Sequence, residues 1–196
     1  MSVSLGNIAA LRTGFTFRGP GGVPVVSEGD LLVIQGKDVD PTSPLLHLRY
    51  DGGTPVHQTD VPDLQNEELR WGEILVMARG PKNYAAAVQE TPERPLIASA
   101  SFHVVTPDRS KVDPFFLAWQ LNEDAAQNYL RQNNSGTTIP MIRQSVLAAT
   151  PIHLPPLHVQ REIAGLLALV EEEKRLQLQI DECRRQALRA AAYSHH

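Results

Sequence analysis

The double proline Pro155-Pro156 constrains this chain more than any other feature. Neither residue supplies a backbone N–H, and a proline inside a helix or a central strand breaks it, so the pair closes whatever precedes it. No glycine or proline follows Gly165. The spacing predicts one uninterrupted helix over residues 158–193, roughly 54 Å long at ~1.5 Å per residue. The 196 residues therefore divide into residues 1–156, long enough to bury one core, and a helical appendage, residues 157–196.

The appendage carries apolar or small residues at heptad spacing: Leu166, Leu169, Leu176, Ile180, Cys183, Ala187 and Ala190, interrupted by Glu173. A long helix cannot bury such a stripe on itself and needs a surface to cover it. Two readings stay open: a partner helix, or the chain's own domain. Cys183 lies on the stripe as a small seam residue, not as a nucleophile.

Residues 1–156 read as short strands punctuated by glycine and proline. Leu5, Ile8 and Leu11 suit a short helix or strand; Leu31–Ile34 is a buried strand ending at Gly36; residues 40–70, with their prolines and Gly52-Gly53, suit loops between short strands. Residues 74–77 form a second buried strand, with residues 84–88 as its hairpin partner and residues 79–83 as the polar tip. Residues 97–105 alternate as one strand. Asp113-Pro114 then opens a helix through Leu130, because aspartate caps and proline suits the first turn. The fold class is α+β, a domain of short strands, loops and a few helices followed by one long C-terminal coiled-coil helix.

Charge narrows the function. Lys and Arg number 18 against 22 Asp and Glu, a net of −4, which opposes nonspecific nucleic-acid binding driven by cations. The acidic excess lies in residues 1–70, so an anion-binding face belongs to the later part of the domain. Apolar stretches such as residues 74–78 are far too short to span a bilayer. No secretory signal is visible, and a cytoplasmic location is the expectation.

Catalytic motifs are thin. There is no phosphate-binding loop, and Leu154 stands before the double proline where an adenine methyltransferase needs an acidic or amide residue. The histidines lack ligand spacing apart from His195-His196, which suits a frayed tail, so no metal is expected. Asp108-Arg109-Ser110-Lys111 has no carboxylate two positions before its lysine and reads as a surface turn, not a nuclease motif. What remains is a set of loop residues suited to DNA: Thr16 and Arg18; Gln35 and Lys37; Arg79, Lys82, Asn83 and Tyr84; and Ser135, Thr137, Thr138, Arg143 and Gln144. Arginine and lysine read guanine, asparagine and glutamine read adenine, and small hydroxyl residues reach phosphates. The same residues are also ordinary loop composition.

The junction adds a resemblance. Gly136-Thr137-Thr138-Ile139-Pro140-Met141-Ile142-Arg143, then Pro151-Ile152-His153-Leu154-Pro155-Pro156-Leu157-His158-Val159-Gln160-Arg161-Glu162-Ile163-Ala164, resembles the end of a target-recognition domain and the start of the conserved helix in specificity (S) subunits of type I restriction-modification enzymes. Leu5-Gly6-Asn7-Ile8, Gln35-Gly36-Lys37-Asp38-Val39 and Gly72-Glu73-Ile74-Leu75-Val76 fit the same family. The resemblance implies a non-catalytic DNA reader in phage defence. Its recognition domain would dock in the major groove of double-stranded DNA while its helix holds an adenine methyltransferase subunit, which carries the S-adenosylmethionine. A restriction subunit is a further partner left open. Family members have two recognition domains and two helices, whereas this sequence has one of each. The expectation is a half-size form that homodimerises through Leu166, Leu169, Leu176, Ile180, Cys183 and Ala187 and reads two inverted half-sites. The competing class is an interaction fragment or decoy that pairs with other subunits through its helix; a stand-alone nuclease ranks last.

Overall fold

Four consecutive apolar residues, Ile74–Met77, can stay in a strand only where both faces are covered. In the computed structural model they form such a strand, with Ile74 and Val76 in one hydrophobic cluster and Leu75 and Met77 in another on the opposite face. The structure describes residues 2–16, 23–41, 43, 45, 52–80, 83–89, 94–134 and 140–193. In order they form β1 (Ser2–Ser4), β2 (Ala9–Thr13), β3 (Leu31–Ile34), β4 (Thr54–Val56), α1 (Leu64–Glu67), β5 (Ile74–Met77), β6 (Ala85–Ala87), β7 (Leu96–Ala98), β8 (Phe102–Pro107), α2 (Pro114–Asn122), α3 (Asp124–Gln132), α4 (Gln144–Ala148), β9 (Pro151–His153) and α5 (Leu157–Tyr193). The fold is α+β with a long C-terminal helix.

A four-stranded antiparallel sheet, β2-β8-β5-β6, is the frame. The predicted hairpin is its β5–β6 edge, with Ile74 opposite Ala87 and Val76 opposite Ala85. The three alanines of β6 have small side chains, and α2 packs on that strand, burying Phe116, Leu117 and Leu121. A smaller sheet, β4-β3-β7, combines an antiparallel pair with the parallel pair β3–β7. The strand β1 pairs with β9, which fastens the start of the chain to the segment just before the double proline.

Two expectations need correction. Residues 97–105 are not one strand: β7 ends at Ala98, residues 99–101 cross over, and β8 begins in the other sheet at Phe102. The alternation of small and apolar residues continues through the crossover, so periodicity alone does not reveal it. The helix opened by Asp113 is capped as expected, its carboxylate accepting from Phe115 N and Phe116 N, but it stops at Asn122. Asn122 places its side-chain amide across the β6 backbone, accepting from Ala85 N at 2.9 Å and donating to Ala85 O at 2.7 Å, and Glu123 turns extended before α3 starts. Of the two readings of residues 5–11, the structure shows a single 3-10 turn at Leu5–Asn7 followed by strand β2.

The long helix is present, and its covered face is not the heptad stripe. Gln160 and Glu171 are buried and Ile163, Ala164 and Leu167 half-buried, all on the side turned to the domain. Ile163 joins the core around α2. Counting about 100° per residue from Gln160, the stripe from Leu166 to Ala187 lies about 140–240° away, on the far side of the helix. Leu166 is 63% exposed, Leu169 68%, Leu176 45% and Ile180 45%. Docking of the stripe on the chain's own domain is thereby overturned. Of residues 172–192 only Asp181 is even partly covered.

Candidate nucleic-acid interface

The crossover at residues 99–101 organises the loops that the sequence nominated. Its backbone is bonded to three of them in succession: Ser99 N donates to Ile34 O at 2.9 Å, Ala100 N to Phe15 O at 2.8 Å, and Ser101 O accepts from Ala78 N at 2.8 Å. Gln35 and Lys37 follow Ile34, Thr16 follows Phe15, and Arg79 follows Ala78. Close approach is required here, since a Cβ on Gly14 would lie 2.3 Å from Ser99 O. A fourth segment joins through Arg79, which forms a bridge with Met141, while Gly80 N donates to Pro140 O at 3.1 Å and Ile142 N to Ala78 O at 2.8 Å. Loops as far apart in sequence as those of Thr16 and Arg143 thus form one rim.

On that rim the nominated residues divide into two kinds. Thr16, Lys37, Arg79 and Arg143 are exposed and available to a ligand. Four more make side-chain hydrogen bonds within the protein. Gln35 donates from its amide to Thr54 Oγ1, and its backbone N–H donates to Asp38 Oδ2 at 2.9 Å, closing a capped 3-10 turn that presents Lys37. Asn83 is buried; its Nδ2 donates to Met77 O at 3.0 Å and its carbonyl accepts from Gln127 Nε2 at 2.6 Å, which closes the hairpin tip onto α3. Tyr84 donates its hydroxyl to Gly36 O at 3.0 Å and meets Phe102 edge-on. Burial, with the Asp38 carboxylate nearby, pushes the phenol up to about 12, so it remains a donor throughout the neutral range. Gln144 donates to Leu11 O at 2.9 Å and ties the start of α4 to β2. Each of these four makes a side-chain hydrogen bond within the protein and so helps to shape the loops, while Gln144 is itself exposed. Arg18, Lys82, Ser135, Thr137 and Thr138 lie outside the described residues, as do His195 and His196.

Residues that the sequence did not single out also build the rim. His103 is buried on β8, its Nε2 2.8 Å from Ile142 O and its Nδ1 3.5 Å from Thr13 Oγ1. A carbonyl only accepts, so Nε2 carries the proton and His103 props the segment that leads to Arg143. Its position within an apolar strand gave no signal of this role.

Away from the rim, Gln160 joins domain to helix. Its Oε1 accepts from Asp113 N at 2.9 Å, and its Nε2 donates to Pro155 O at 2.7 Å and Lys111 O at 3.3 Å. The helix therefore starts at a fixed place beside the N-terminus of α2. Among the described residues no three His, Cys, Asp or Glu side chains come together as a metal site, and no helix is long and apolar enough to cross a membrane.

The same architecture occurs in solved structures. A chain from the structural basis of complex assembly and conformational transition of the type I R-M system matches with TM-score 0.61 at 20% identity, over 99% of this chain and 48% of that one. The type I restriction-modification S subunit from M. genitalium matches with TM-score 0.62 at 18% identity, over 95% of this chain and 42% of that one. The HsdS subunit from Thermoanaerobacter tengcongensis matches with TM-score 0.57 at 22% identity, over 97% and 45%. The chain spans about half the length of these structures. No curated protein sequence matches it. The model of the type I restriction modification DNA specificity domain matches residues 3–182, a span holding the rim, the Gln160 joint and most of α5, and the chain belongs to that family.

Proposed function

We propose that this chain reads double-stranded DNA through its rim and directs a partner adenine methyltransferase to the sequence it reads, without catalysis of its own. The observation that carries the reading is the convergence of four loops on residues 99–101, which sets Lys37, Arg79 and Arg143 on one rim of an otherwise acidic protein. Exposed cations of this kind pair with guanine edges or phosphates, and the tied glutamines and asparagine hold the loops that carry them. Phosphate contacts made by the methyltransferase would offset the net charge of −4. The methyl donor, S-adenosylmethionine, belongs on that partner; a restriction subunit is a further candidate for the same complex.

The chain spans about half the length of the S-subunit structures it matches. The solvent-facing stripe supports completion by a second copy of this chain, giving a two-fold reader of two inverted half-sites separated by a spacer. The test is a genome-wide map of methylated adenines in cells that carry this chain with a type I methyltransferase, against cells without the chain. A new split motif with identical inverted halves is the expected result. A stable complex that adds no motif overturns the reading and leaves a decoy that only pairs with other subunits.

A further inference from the structure

We infer that Arg79 and Arg143 act as a pair that reads two G·C base pairs about two steps apart in the major groove, each guanidinium taking one guanine. The inference rests on the DNA-reading function proposed above and adds to it which bases the rim selects.

The backbone makes the pair. Ile142 N donates to Ala78 O at 2.8 Å and Gly80 N to Pro140 O at 3.1 Å, one bond on either side of the bridge between Arg79 and Met141. Bonds that flank a bridged pair in this way mark it as a non-hydrogen-bonded antiparallel pair, whose Cα atoms come within ~4.5 Å and whose side chains leave on one face. Alternation sets Ala78 and Ile142 inward, where both are buried, and turns Arg79, Met141 and Arg143 outward, where all three are exposed. Arg143 is still extended, at φ −75° and ψ 147°, and lies diagonal to Arg79 on that face, where such neighbours are ~7–8 Å apart. Two steps of ~3.4 Å along one DNA strand span nearly the same distance.

The chemistry favours bases over phosphates. A two-stranded ribbon is one of the shapes that the major groove admits, and guanine offers O6 and N7 side by side there, a match for the arginine fork. Neither guanidinium is spent inside the protein. Among the described residues neither has a hydrogen-bond or ion-pair partner, whereas Arg12, Arg70, Arg109 and Arg131 of the same domain each have one. The backbone beneath the pair is fixed: Ala78 N donates to Ser101 O at 2.8 Å, His103 Nε2 to Ile142 O at 2.8 Å and Gln144 Nε2 to Leu11 O at 2.9 Å. A base so held has little left to order on binding, which suits discrimination between bases more than loose attraction to phosphate.

The test compares methylated-adenine maps for wild type, Arg79→Ala and Arg143→Ala, each expressed as the full chain with the same type I methyltransferase. Both side chains are exposed, so their truncation leaves the domain core untouched. The wild-type half-site is expected to hold two G·C pairs two steps apart. Arg79→Ala is expected to relax one of them and Arg143→Ala the other, with the rest of the motif kept. Competition binding by the purified complex, on duplexes altered at single positions, reads the same change where a variant methylates too weakly to map. Discrimination at the relaxed position is expected to fall about 5–150-fold. Alanine variants that bind every sequence more weakly by one factor, with the motif unchanged and a shallower salt dependence, would show phosphate contacts and overturn the inference while leaving the DNA reader in place. Relaxation of one shared position by both variants, or a wild-type motif without the two spaced G·C pairs, would overturn it equally. A wild-type chain that adds no motif would remove the DNA-reading function itself, and this inference with it.

Discussion

Replacing Gln160 by alanine is expected to loosen the joint between the recognition domain and the long helix by a measurable amount. The side chain is fully buried and makes three hydrogen bonds, at 2.7, 2.9 and 3.3 Å, all to backbone groups. Truncation strips the Asp113 N–H and the Pro155 and Lys111 carbonyls of a partner in a dry place. A buried polar group left unpaired costs about 1–3 kcal/mol, and the longest of the three bonds contributes least. The two short bonds alone give about 2–6 kcal/mol, a large share of the ~5–15 kcal/mol that stabilises an ordinary domain. Gln160→Glu sharpens the experiment. Its carboxylate still accepts from Asp113 N but faces two carbonyls with no proton to offer, so at neutral pH it is expected to lose at least as much as alanine. Equilibrium urea unfolding measures both, at one chain concentration because association contributes to apparent stability. A loss below about 1 kcal/mol for Gln160→Ala, or wild-type stability for Gln160→Glu, refutes the reasoning.

Other expectations follow from the rim and the stripe. Arg143→Ala should weaken binding to the cognate DNA by roughly 1–3 kcal/mol if its guanidinium makes a bidentate base contact; an unchanged motif and affinity would remove it from the reading surface. Leu176→Asp puts a charge at the stripe's centre on an exposed residue, so sedimentation should show monomers with unaltered domain folding, and a persistent dimer would place the seam elsewhere. Tyr84 has a phenol pKa raised from 10.0 to about 12 by burial and by Asp38, so the folded protein holds a proton that the unfolded chain releases. Its contribution is fully present below pH 10.0 and is lost as pH rises to about 12, and Tyr84→Phe should lose about 1 kcal/mol at neutral pH and abolish that alkaline decline. An unchanged alkaline profile in Tyr84→Phe would assign the decline to other groups.

The parts of this fold that the sequence makes legible are those decided locally. Pro155-Pro156 and the absence of later breakers fix α5, and four apolar residues before a glycine-containing turn fix β5 and its hairpin. The parts that stay hidden are decided by a distant partner. Residues 99–101 look like more of the same strand, and only Ile34 and Phe15, far away in sequence, make them a crossover. The end of α2 depends in the same way on Asn122 finding Ala85. At the site, residue type identified polar groups near the rim but not the direction in which they point. Gln35, Asn83 and Gln144 have the chemistry to read adenine, and each also gives one side-chain N–H to the protein itself, to Thr54, Met77 and Leu11. Gln160 entered the sequence reading only as part of a resemblance, because a lone glutamine on a helix does not announce that it is buried.

The far portion of α5 behaves as a lever. Its last buried residue is Glu171 and it continues to Tyr193, so about 33 Å of helix projects at ~1.5 Å per residue. A tilt of about 6° at the base moves the free end by about 3.4 Å, the rise of one base pair along a DNA strand. In the two-fold reader proposed above, two such levers would act as a ruler between two reading heads, with its error set at the base: in the seating of one amide against three backbone groups.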